Sequence, residues 1–144
     1  MRIATLSILT LAAFGVLSGC QKAESPGEVQ KNVAEAREKA DQKLDSAEQS
    51  AGKDVEKAQE SVDKASAKAG DAVSAQEQDM SATQAKANYD VAVAKAEGDN
   101  KIALAKCKAL SGDAQKACKD EADAALASAK AQAEATRDRQ TPKG

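Results

Sequence analysis

Behind Cys20 the chain holds only fourteen side chains large enough to build a core: Val29, Val33, Leu44, Val55, Val62, Val73, Met80, Tyr89, Val91, Val93, Ile102, Leu104, Leu110 and Leu126. Burying one such side chain yields roughly 1.5–3 kcal/mol, while ordering each residue costs about 1–2 kcal/mol in backbone entropy. So few anchors cannot hold the whole chain in a compact globule, which argues against an ordinary enzyme domain, a β-sandwich or a barrel. Alanine takes up the deficit with 34 of the 144 residues, and it is the strongest helix former. The expected fold class is all-α: a long, extended amphipathic helix followed by an antiparallel helical hairpin, with no compact globular core.

Ser25-Pro26-Gly27-Glu28 is a helix start, with Ser25 as cap, Pro26 at the first helical position and Glu28 as capping-box partner. An apolar stripe follows: Val29, Val33, Ala36, Ala40, Leu44, Ala47, Ala51, Val55, Ala58, Val62, Ala65, Ala69 and Val73. Its steps alternate between three and four, an eleven-residue repeat that leaves a helix nearly straight. An eighteen-residue echo overlies it: Glu38-Lys39-Ala40 recurs as Glu56-Lys57-Ala58, and Ala51-Gly52 as Ala69-Gly70. Uninterrupted from 26 to 97, such a helix would measure about 108 Å. Met80, Ala87, Val91, Ala94, Ile102 and Ala105 continue the pattern, and Gly98-Asp99-Asn100 interrupts it, with Asp99 as cap of a fresh helix or with a kink. Ala114, Cys118, Ala122, Ala125, Ala129 and Ala133 mark a returning face beyond a turn at Gly112-Asp113. The organisation expected is 1–19 a signal segment, 20–25 a tether, 26–79 the long repeat helix, 80–137 the helical hairpin and 138–144 a loose tail.

Chemistry-bearing side chains are scarce. The chain has no His, no Trp and one Tyr, and it offers no Ser/His/Asp set, metal-ligand cluster or phosphate loop. The adjacent acids Asp120 and Glu121 point about 100° apart on a helix and make a poor acid–base couple. The expectation is a non-enzymatic protein without metal or cofactor. Five lysines, Lys101, Lys106, Lys108, Lys116 and Lys119, face one acid, Asp113, between 101 and 119. Two readings of this basic tip are open: contact with an anionic partner, or a solvated face whose charges cluster by chance. The near-neutral chain lacks stacking aromatics, so nucleic acid is not an expected partner. Weak helical self-association is in keeping with an alanine-rich stripe.

Arg2 is the only charge before Cys20, and Ile3 to Leu17 is an apolar run of signal-peptide length, short for a membrane span. The run ends in Leu17-Ser18-Gly19-Cys20, which resembles the lipobox of bacterial lipoproteins at all four positions. The resemblance implies that Cys20 receives a diacylglyceryl thioether, that the chain is cut before it, and that the new amino terminus is acylated. Gln21 in the next position implies sorting to the inner leaflet of the outer membrane of a Gram-negative envelope, facing the periplasm. With Cys20 spent on lipid, Cys107 and Cys118 are left in an oxidising compartment and should pair. Each lies five residues from the Gly112-Asp113 turn, which places both at one level of a hairpin. A redox-active dithiol is the rival reading, disfavoured by the ten intervening residues and the lack of a strand pattern.

The stretch from Tyr89 to Asp99, with Lys106 to Cys118, looks like a segment of uncharacterised Ala/Lys-rich envelope proteins of Gram-negative, especially beta-proteobacterial, bacteria. Residues 28–75 resemble the repeats of late-embryogenesis-abundant proteins and apolipoproteins in composition and period. Neither resemblance carries an activity. The resulting expectation is a membrane-anchored envelope lipoprotein that serves as helical spacer, scaffold or stress-protective element. The alternative is a binding module whose basic stapled tip docks to a protein partner or an anionic envelope polymer.

Overall fold

The computed structural model describes residues 22–67 and 72–141, without the side chains of Ala72 and Val73. The signal segment 1–19, Cys20, Gln21, Ala69, Gly70 and the last three residues lie outside the described residues. The fold is all-α. Among the described residues there are three helices: α1 (Pro26–Ser66), α2 (Ala72–Cys107) and α3 (Gly112–Gln140).

The start of α1 follows from its capping box. Ser25 Oγ accepts from the Glu28 N–H at 3.4 Å, and the Glu28 carboxylate accepts from the Ser25 N–H at 2.9 Å and its hydroxyl at 2.7 Å. These bonds favour the charged form and hold the Glu28 carboxyl below its usual range. Every described member of the stripe from Val29 to Ala65 is half-buried or buried, and the residues between are mostly exposed. The eleven-residue period is thus the contact line of α1.

The long helix expected to run unbroken over 26–97 ends at Ser66, and the chain folds back as α2. The stripe that would have needed a second molecule finds its partner in the same chain. Lys43 on α1 pairs with Glu97 on α2, Ala40 faces Gly98, and Glu24 reaches Lys108, so α1 and α2 run antiparallel. The α2 members Met80, Ala87, Val91, Ala94, Ile102 and Ala105 are half-buried or buried, as the sequence pattern required. Gly98 does not end the helix. It lies inside α2, where an added Cβ would stand 2.8 Å from the Ala40 Cβ. It is a packing glycine that admits a close helix crossing.

α2 carries a second buried line that the pattern did not reveal: Ala85, Tyr89, Ala96, Ala103 and Cys107. These residues meet α3, which returns antiparallel. Asn100 donates to Asp123 at 3.1 Å, Lys130 pairs with Glu97 at 2.7 Å, and Arg137 lies over the Tyr89 ring. On α3 the inner line runs Gln115, Cys118, Ala122, Leu126, Ala129 and Ala133; Ala114 and Ala125, expected inside, are exposed. α3 also persists past the expected loose point at 138 to Gln140, where the Thr141 N–H and hydroxyl both donate to the Arg137 carbonyl at 2.9 Å.

Among the described residues α1 and α3 each pack on α2 and not on each other. The result is a thin layer, and its interior reflects that. The buried side chains are Ala40, Ala65, Ala85, Ala87, Ala94, Ala105, Cys107, Gln115 and Ala122. None of the large apolar side chains described reaches full burial; all are half-buried except Leu110, which is exposed.

Candidate functional site

The residues singled out by the sequence gather at the turn between α2 and α3. After Cys107 the helix tightens into i to i+3 bonds: Lys108, Ala109 and Leu110 donate to the carbonyls of Ala105, Lys106 and Cys107 at 3.3, 3.0 and 3.0 Å. Gly112 then adopts a φ of +56°, the left-handed conformation that reverses the chain there. Ser111 occupies the cap position of α3 without a side-chain bond to the helix. Asp113 contributes as the acid in the first turn.

Cys107 and Cys118 form the disulfide, with Cα atoms 5.6 Å apart. Cys107, at 1% exposure, is the largest fully buried side chain among the described residues, and Cys118 is half-buried. A residue that sequence reasoning missed completes the turn. Buried Gln115 donates to the Leu110 carbonyl at 2.8 Å and accepts from Lys119 Nζ at 3.2 Å. A glutamine just beyond the Gly112-Asp113 turn is an ordinary surface residue in a pattern, and only the turn geometry makes it inward.

The basic tip is less basic than the linear sequence implies. Lys108 is bound by Glu24 at 3.2 Å, and Lys116 by Asp120 at 2.6 Å, which raises the Lys116 pKa. Lys119 is held by Gln115, while Lys101 and Lys106 are exposed and pair with no carboxylate among the described residues. Glu24 is also the surprise of the expected tether. Its backbone N–H donates to the Lys108 carbonyl at 2.9 Å and its carboxylate accepts from Asn32, so the segment before α1 is pinned to the tip of the hairpin.

Two further features lie along the helices. Glu97 stands on the middle helix and accepts from Lys43 of α1 and from Lys130 of α3. These two hydrogen bonds, Lys130 first, push its carboxyl down to about 2. Between α2 and α3 an open groove of about 350 Å³ is lined by Tyr89, Ala92, Ala96, Ala133 and Arg137 among others, with the Arg137 guanidinium 4.9 Å from the Tyr89 ring centroid. Arg137 is also bonded to Asp138 and Glu134.

Among the described residues no group of three or more His, Cys, Asp or Glu is placed to hold a metal ion, and no helix is long and apolar enough to cross a membrane. No protein-family model, curated protein or solved structure matches the chain.

Proposed function

We propose that the protein is a non-enzymatic envelope lipoprotein, held by lipid on Cys20, that serves as a helical spacer or scaffold or as a stress-protective element. One observation carries this reading: the described fold is a layer one helix thick whose interior is mostly alanine, with its large apolar side chains half-buried or exposed. Substrate chemistry needs a pocket that excludes water and a set of converging polar groups. The polar groups here are spent on holding helices together, as with Glu97 and Gln115. The disulfide joins two helices across a turn, with a sequence separation of 11 between its cysteines, unlike the Cys-x-x-Cys spacing of redox-active dithiols. The Leu17-Ser18-Gly19-Cys20 motif supplies the anchor, and Gln21 the address in the outer membrane, facing the periplasm.

The test is metabolic labelling with palmitate. Wild type takes up label and fractionates with membranes, and Cys20→Ser abolishes both. Recovery of wild type as an unlabelled protein in the soluble fraction overturns the reading.

A further inference from the structure

The start of α1 and the turn of the hairpin meet at one end of the molecule. Glu24 is joined to Lys108 by a backbone hydrogen bond of 2.9 Å and an ion pair of 3.2 Å. The opposite end holds the last turn of α1 and the end of α3, where Ser81 donates to the Gln140 carbonyl. Cys20 precedes Glu24 by four residues, and four extended residues span at most about 14 Å. The tip is therefore tied within that distance of whatever Cys20 carries. The Ser66 end is a 41-residue helix away, about 60 Å.

Leu110, at 40% exposure, is the exposed large apolar side chain among the described residues, and it sits on this tip. The turn holds it outward, because Gln115 ties down its carbonyl and Gly112 sets the chain direction. Lys22 and Lys106 at the same end are exposed and pair with no carboxylate among the described residues. Glu24 neutralises Lys108, and Asp113 and Glu28 lie at this end, so net charge alone does not define the surface. Its character is a protruding leucine beside two uncommitted lysines, which suits the boundary between acyl chains and anionic headgroups. A protein or polymer partner at this place would have to fit into the short gap beneath the tip, where a bilayer anchored through Cys20 already lies.

We infer that the hairpin tip, through Leu110, Lys22 and Lys106, docks on the anionic phospholipid headgroups of the membrane that holds Cys20. The helices then stand off the surface with the Ser66 end outermost. This rests on the lipid-anchor reading.

The chain has no tryptophan, so a single introduced indole reports its own position. The lipidated full chain is prepared as L110W and, separately, as S66W, and reconstituted into phosphatidylethanolamine vesicles with or without phosphatidylglycerol. A brominated phospholipid serves as quencher. The L110W emission is expected to shift to the blue and be quenched. That quenching weakens when phosphatidylglycerol is omitted, or when K22E and K106E are added. The S66W emission stays at its water position. Protein that is palmitate-labelled and floats with vesicles, yet shows L110W unquenched or quenched equally without phosphatidylglycerol, overturns the docking and leaves the anchor standing. Wild type that neither labels nor floats overturns both.

Discussion

The two helix pairs of this protein solve the same problem by different means. α1 and α2 share the longer interface, built on an Ala/Val stripe and one very close crossing where Gly98 meets Ala40. Among the described residues no disulfide joins them. α2 and α3 share a shorter interface, also lined by alanine, but it is closed by a tight turn, the Cys107–Cys118 bond and the Arg137–Tyr89 stack. Where bulk is lacking, a chain can extend its contact line or constrain its unfolded state. This molecule does the first on one flank of α2 and the second on the other.

Removing the constraint should have the largest effect. A cross-link across eleven residues stabilises by about 3 kcal/mol in the chain-entropy model. Cys107→Ser, or reduction, is therefore expected to lower the urea midpoint followed by circular dichroism, with amides of α3 losing hydrogen-exchange protection before those of α1. Equal loss across both pairs would mean that the flanks are not independent. The next effect belongs to the other flank. Gly98→Val drives side-chain atoms into Ala40 and is expected to cost about 1–3 kcal/mol, lost mainly from α1–α2. Adding Ala40→Gly makes room and should recover most of it; a double variant no better than the single would break the crossing argument. The smallest effect concerns Glu97, which ties the flanks together. Its pKa falls from 4.5 to about 2 on folding, so it contributes stability above pH 4.5 that is lost as pH falls toward 2. Because its lysine partners are about half exposed, this contribution is about 1–2 kcal/mol. Glu97→Gln should lower stability at neutral pH by that amount and flatten the acid limb of the pH profile.

Much of this fold is legible in the sequence. The fourteen large side chains pointed to a helical, coreless architecture, and the stripe from Val29 to Ala65 marks the buried line of α1 residue by residue. The Ser25–Glu28 box and the turn at Gly112 were also readable, because each depends on its own few residues. The antiparallel return of α2 on α1 was not. The stripe runs on through Ala69 to Val73 without a break in period, and period says only that a face must be covered, not by what. The second line on α2 was hidden for a related reason: a helix buried along two opposite flanks has small residues in every direction, so no single face stands out. Gly98 was misread because a glycine that breaks a helix and one that lets a neighbour approach look alike in sequence. The tip lost part of its positive charge to Glu24 and Asp120; Glu24 lies more than eighty residues away along the chain, where no local count reaches it.

An interior made of alanine has a thermal consequence. A methyl group has no rotamers to freeze, so the interfaces form at little cost in side-chain disorder, but they also remove little nonpolar surface from water per residue. Heat-capacity change on unfolding scales with that surface. This molecule should therefore have a flatter stability curve than a globular domain of equal length, melting over a wide range and changing little in the cold.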